Sequence, residues 1–246
     1  MKQFFFLVLS FICFSSYTQH TNFLLDKNYS SDINKVLYTE ATDIHTSCKP
    51  ILRSNLPFNL TEIIDKYYPN HYKNWLLRKT FSEHFIILEG GDYKVVGSPI
   101  INFSKGKELV DSKTIFTNSR GYLIEGDLGK KISFSTAFVE NQASFSNYLD
   151  DYIRSNQVVP GQGYARTFKE TGFDYAMSSG YVAYRSNNMF AIQFGHGKNF
   201  IGDGYRSLLL SDNTFNYPYL KFQTTFWKVQ YTNLYAELMD INYFET

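Results

Sequence analysis

From Tyr122 onward the chain alternates with a period of two. Tyr122, Ile124, Gly126 and Leu128 fall on one side, with Leu123, Glu125 and Asp127 on the other. After Gly129-Lys130, a tight-turn pair, Ile132, Phe134, Thr136 and Phe138 oppose Ser133, Ser135, Ala137 and Val139. The pattern recurs with Phe190, Ile192 and Phe194 against Ala191, Gln193 and Gly195. It returns with Leu220, Phe222, Thr224 and Phe226 against Lys221, Gln223 and Thr225. A last apolar row is Thr232, Leu234, Ala236 and Leu238, opposite Tyr231, Asn233, Tyr235 and Glu237. Side chains of a strand point alternately to its two faces, so these segments predict strands. Gly90-Gly91, Asn187-Asn188 and Trp227-Lys228 stand where tight turns are needed. Spacing predicts roughly eight to ten strands after Phe85.

Upstream the period differs. Residues 19–58 show little periodicity and predict irregular or extended backbone. A short helix is expected from Asn59 or Thr61 to before Pro69, and a second over 71–85. In the second, Tyr72, Trp75, Leu76 and Lys79 share one line, and Leu77, Phe81 and Phe85 the next. That amphipathic pattern predicts packing against a partner, or contact with a membrane surface or a barrel mouth. The polar, tyrosine-rich link 145–175, with Pro160, is expected to be part strand and part loop or lumen plug.

In the segments 132–139, 189–196 and 219–226 the apolar row is rich in aromatics and the opposite row is small or polar. A soluble sandwich also alternates. The aromatic contrast favours a mainly β fold: an antiparallel transmembrane β-barrel, apolar outside and polar inside, preceded by a short helical periplasmic region. Tyr181, Tyr219 and Trp227 are expected at the ends of strands as interfacial girdles.

Composition supports this choice. Aromatic residues make up 18% of the chain, yet mean hydropathy is −0.29, as expected of strands apolar on one face only. With 24 Lys+Arg against 23 Asp+Glu, the chain lacks the basic stripe of a nucleic-acid binder. Lys2 followed by the apolar run Phe4–Phe14, with Ser16 and Thr18 before Gln19, reads as a secretory signal over 1–18. The expected organisation is therefore a signal (1–18), an irregular and helical periplasmic segment (19–84) and barrel strands (85–246). Removing the signal leaves Cys48 alone, so no internal disulfide is expected.

Several blocks carry a family resemblance: IHTSCKP, NWLLRKTFSEHF, NSRGYLIEGDLGKKISFSTAFVENQ, and GHGKNFIGDGYRSLLLSDN with the later YPYLKFQTTFWKVQYTNLYAEL. In this order they resemble the RemB-like gliding-motility proteins of Bacteroidetes, relatives of the Wzi-type capsule-assembly outer-membrane proteins. The resemblance implies a non-catalytic outer-membrane β-barrel of a Gram-negative cell, acting in gliding motility or in the assembly and binding of capsular polysaccharide. Its implied partners are outer-membrane lipid, surface polysaccharide and the gliding machinery, without a cofactor. Family members are longer, so the chain is expected to be an N-terminal portion of a larger barrel. A porin-like diffusion channel is the alternative.

The glycine-rich stretch 195–213 holds the candidate site. His196, Lys198, Asn199, Asp203, Tyr205, Arg206 and Asp212 are residue types that stack on and hydrogen-bond sugars, and Lys198 and Arg206 suit an anionic capsule. The competing expectation is that Arg206 pairs with Asp203 or Asp212 to brace the loop. Gly197-Lys198 is not a phosphate-binding loop: Asn199 replaces the Ser/Thr, and Ile192 stands where the first glycine belongs. The histidines His20, His45, His71, His84 and His196 are scattered without metal-ligand spacing.

Overall fold

A computed structural model describes residues 44–53, 72–81, 83–187 and 189–240, with isolated positions between 22 and 56. The signal and the first expected helix lie outside the described residues. The described elements are β1 (Cys48–Lys49), α1 (Trp75–Phe81), β2 (Ile86–Glu89), β3 (Tyr93–Lys107), β4 (Thr114–Leu128) and β5 (Ile132–Ser144). They continue with α2 (Asn147–Asn156), β6 (Val158–Val159), β7 (Gly163–Phe168), β8 (Gly172–Arg185), β9 (Phe190–Gly197), β10 (Phe200–Ile201), β11 (Tyr217–Phe226) and β12 (Val229–Ala236).

One antiparallel sheet dominates, in the order β12-β11-β9-β8-β5-β4-β3-β2, with β7 also on β8 and β6 on β7. The outermost strands β12 and β2 do not pair with each other. The expected mainly antiparallel β fold is therefore present, and the sheet does not close into a barrel among the described residues.

Register fixes the two faces. Across β4, β5, β8, β9 and β11 one row reads Gly126, Phe134, Val182, Phe194 and Leu220. The neighbouring row, on the opposite face, reads Asp127, Ser133, Ala183, Gln193 and Lys221. The first face is apolar and open: Tyr122, Leu128, Phe138, Val182, Phe190, Phe194 and Phe226 are exposed. The second is largely polar and covered: Ser133, Gln193, Lys221 and Gln223 are buried, beside Ala183. A sheet in water turns its apolar face to the core; this wall has the reverse polarity.

The two ends of the sheet differ as well. At one end the strands are joined only by short turns, following β2, β4, β8 and β11. Gly129 there takes φ 62°, which costs glycine nothing, and the Asn187 carboxamide oxygen accepts from the Met189 and Phe190 N–H groups at 3.0 and 2.9 Å. The other end carries the longer connections: 108–113, the segment with α2, β6 and β7, and the segment with β10.

That longer end holds the apolar core. The link 145–175, read as strand and loop, contains α2. Leu149 and Ile153, four apart on one face, pack against Phe145, Phe173, Tyr175, Val159, Ala143 and Ala165. The helix stops at Gln157, in the left-handed region at φ 54°, whose N–H returns to the Ile153 carbonyl. Asp150 accepts from Lys113 at 3.1 Å and from Arg154 at 2.5 Å, which ties α2 to the β3–β4 connection.

Three expectations need correction. Tyr181 and Tyr219 do not lie in an outer girdle. Both belong to the inner row with Glu125, Ser135 and Gly195; only Trp227 stands exposed at a turn. In β12, Thr232, Leu234 and Ala236 face inward, and Tyr231, Asn233 and Tyr235 outward, opposite Thr224, Phe222 and Leu220. The two-residue loop sets this phase: Phe226 opposes Val229, with Trp227 at φ 52°, so the following residues inherit their faces from the turn. Finally, the second helix is shorter than the 71–85 expected, and Tyr72, Trp75, Leu76 and Leu77 remain exposed rather than packed.

Candidate functional site: the strapped polar inner face

The inner face is covered by a segment from far upstream. Residues 47–53, expected to be irregular or extended, cross it as a strap. Cys48 and Lys49 pair with Ile201 and Phe200 of β10, and Pro50, Ile51 and Leu52 are buried. The Gly202 N–H donates to the Ser47 carbonyl at 2.7 Å. Lys49 Nζ donates to the Gly202 carbonyl at 2.7 Å and to Asp203 Oδ1 at 2.9 Å, and lies 5.5 Å from the centre of the Phe200 ring. Nearby, the Asn22 N–H donates to the Tyr181 hydroxyl at 2.6 Å. The glycine-rich stretch is thus half of a clasp: β10 leaves the end of β9 and grips the strap.

Under the strap sits Lys221. It is 4% exposed, and its ammonium donates to the Pro50 carbonyl at 3.3 Å and to Asn199 Oδ1 at 3.4 Å. Asn199 is itself buried, and its backbone N–H donates to the Tyr217 hydroxyl at 2.9 Å. Gln193 faces Lys221 across the β9–β11 ladder. Gly195 lets these strands fit. A Cβ there would stand 2.7 Å from the Gly180 carbonyl oxygen and from Tyr181 Cβ, and 3.0 Å from the Tyr219 hydroxyl.

A second feature arises where the sheet forks. One edge of β8 pairs with β5, while the other is shared, Gly172–Tyr175 with β7 and Gly180–Arg185 with β9. Between these pairings the Ser178 carbonyl meets no strand. It accepts instead from Asn216 Nδ2 at 2.5 Å, and His196 Nδ1 lies 3.2 Å away. The cleft at the fork, about 470 Å³, is lined by Tyr164, Arg166, Asp174, His196, Phe215 and Asn216 among others. Tyr164 and Phe215 meet edge to face at 5.6 Å, and Arg120 and Glu140 form an exposed ion pair beside it.

The seven sequence candidates do not form one site. His196 borders the fork. Lys198 donates to the Gly161 carbonyl at 2.6 Å; burial pushes its ammonium below the usual lysine range, and the Asp212 carboxylate opposes that shift. Asn199 lies in the inner cluster, and Asp203 pairs with Lys49. Tyr205 and Arg206 are exposed on the long connection. Of the expected pairings of Arg206 with Asp203 or Asp212, the Asp203 one is replaced by Lys49–Asp203, so the strap braces the loop together with the loop's own Ser207–Ile201 and Ile201–Leu210 hydrogen bonds. Sequence reasoning missed Lys221, Gln193, Lys49, Ser178 and Asn216. The one available signal was a lysine in the polar row of a strand whose other row is aromatic.

Among the described residues no group of three or more His, Cys, Asp or Glu side chains could hold a metal ion, and no helix is long and apolar enough to cross a membrane. Comparison with family models, with curated proteins and with solved structures gives no match.

Proposed function

We propose that the chain forms part of an outer-membrane β-barrel and acts, without catalysis, in gliding motility or in the assembly and binding of surface polysaccharide. The observation that carries the membrane half is the reversed polarity of the sheet. Its exposed apolar band extends roughly 20 Å from Leu128 to Tyr122 and roughly 34 Å from Tyr93 to Phe103, at ~3.4 Å per residue. The apolar band of transmembrane barrels is about 25 Å tall. Short turns at one end of the sheet and long connections at the other fit the same architecture.

The polysaccharide or motility half rests on the family resemblance and on Tyr205 and Arg206, exposed on a long connection. The strap favours this reading over a diffusion channel, because it occupies the polar face that would line a pore. The test joins three measurements on the full-length protein: membrane fractionation with heat-modifiable gel mobility, planar-bilayer conductance, and a surface assay of the Tyr205→Ala/Arg206→Ala double variant. Membrane retention, low conductance and reduced polysaccharide retention or gliding are expected. Recovery in the soluble fraction without detergent overturns the membrane half. Large steady conductance with normal surface phenotypes favours the channel.

A further inference from the structure

We propose that the inner face holds a small inorganic anion, of halide type, between Lys221, Gln193 and Asn199. Among the described residues no carboxylate pairs with Lys221, although its side chain is enclosed. A buried ammonium without a counter-charge is costly, by several kcal/mol in general. Its two contacts, at 3.3 and 3.4 Å to neutral oxygens, are long for a charged donor, which normally sits at about 2.7–2.9 Å. Among the described residues the third ammonium hydrogen has no acceptor.

The neighbouring amides are unspent as well. Gln193 is 3% exposed and neither Nε2 nor Oε1 has a hydrogen-bond partner; Asn199 is 2% exposed and its Nδ2 has none. Native interiors rarely leave such groups unmatched. Gln193 of β9 faces Lys221 of β11 across the ladder, and the Asn199 carboxamide of the clasp lies 3.4 Å from the Lys221 ammonium, so the three donor-bearing side chains are neighbours beneath the strap. Water would satisfy the amides but leave the charge, whereas a monovalent anion accepts from all three and neutralises Lys221. The strap contributes the Pro50 carbonyl and covers the cluster, whose three side chains are buried. The site depends on the inner-face geometry alone and not on the membrane reading.

The test uses the full chain folded in detergent micelles at fixed ionic strength. Thermal unfolding is followed as sodium gluconate, whose anion is far larger than a halide, is exchanged for sodium chloride or bromide. A saturable rise in midpoint of about 2–4 °C is expected in halide. Lys221→Met should abolish the halide dependence, and Gln193→Leu should shift its midpoint to higher halide. In crystals grown with bromide, an anomalous peak is expected within hydrogen-bonding distance of Lys221 Nζ. Equal unfolding in gluconate and halide, or no bromide peak at Lys221, overturns the proposal. Both wild-type measurements decide it even where a variant does not fold.

Discussion

Replacing Phe194 by lysine separates a wall built for lipid from one built for water. Phe194 is 65% exposed, so about a third of its side chain is covered. A phenylalanine side chain presents about 200 Å², so roughly 70 Å² is at stake, worth about 1.8 kcal/mol at ~25 cal/mol per Å². The aliphatic stem of lysine recovers much of that, which leaves a cost in water of about 1 kcal/mol or less. In a bilayer the ammonium itself dominates. On the lipid face near mid-membrane it costs about 2–4 kcal/mol, or about 30- to 900-fold in the folding equilibrium. Leu128, at the hairpin edge of the apolar band, is the internal control, and a lysine there should cost about 0–1 kcal/mol. Urea unfolding of both variants from phospholipid vesicles reads the difference. A Phe194→Lys cost near that of Leu128→Lys, and near 1 kcal/mol, would falsify the assignment of this face to lipid.

Four other substitutions probe the supports of the sheet. Burial alone would raise the Asp150 pKa, but hydrogen bonds and charge from Arg154 and Lys113 outweigh it and hold the carboxyl below its ordinary value. Its contribution is therefore complete above about pH 4 and is lost as pH falls through the lower folded value. Protection of the α2 amides, corrected for the intrinsic exchange rate at each pH, should fall below about pH 4 in the wild type, with a weaker acid dependence in Asp150→Asn; parallel acid responses would refute the linkage. Gly195→Val should destabilise by about 1–3 kcal/mol through backbone overlap. Gly197→Ala, whose new Cβ would meet only Tyr219 Cε1 at 3.7 Å, should be near neutral, and equal unfolding midpoints would count against the close approach. Asn187→Ala removes two acceptor contacts at the β8–β9 turn and should cost about 1–2 kcal/mol; an unchanged urea midpoint would show that the turn does not need them.

The parts of this fold that were legible in the sequence are those set by neighbours along the chain. The alternation in β4, β5, β9 and β11 and the turns at Gly129, Asn187 and Trp227 all follow from local chemistry. The phase of β12 was misread because hydropathy ranks Leu234 and Ala236 above Tyr231 and Tyr235, while the turn at Trp227 sets the faces. The helix α2 was hidden because only Leu149 and Ile153 of NYLDDYIRSN face the core, and its neighbours are polar. The strap was not legible at all. Its partners Ile201, Phe200 and Lys221 lie about 150 or more residues away, and no local pattern announces such a pairing. The candidate list accordingly mixed residues of the clasp, the fork and the exposed loop, which share a stretch of sequence but not a site.

The strap also constrains the order of assembly. Cys48 meets Ile201 across 153 residues, whereas β4–β5, β8–β9 and β11–β12 close over a few. Loop-closure entropy favours the hairpins first. β10 does not exist as a docking edge until β9 and β11 have paired and set the glycine-rich stretch between them. Until the strap arrives, Lys221, Gln193 and Asn199 face water and keep their hydration. The last contact made is then the one that dehydrates the most polar part of the molecule. A kinetic probe at Cys48 would report completion of the inner face separately from formation of the wall.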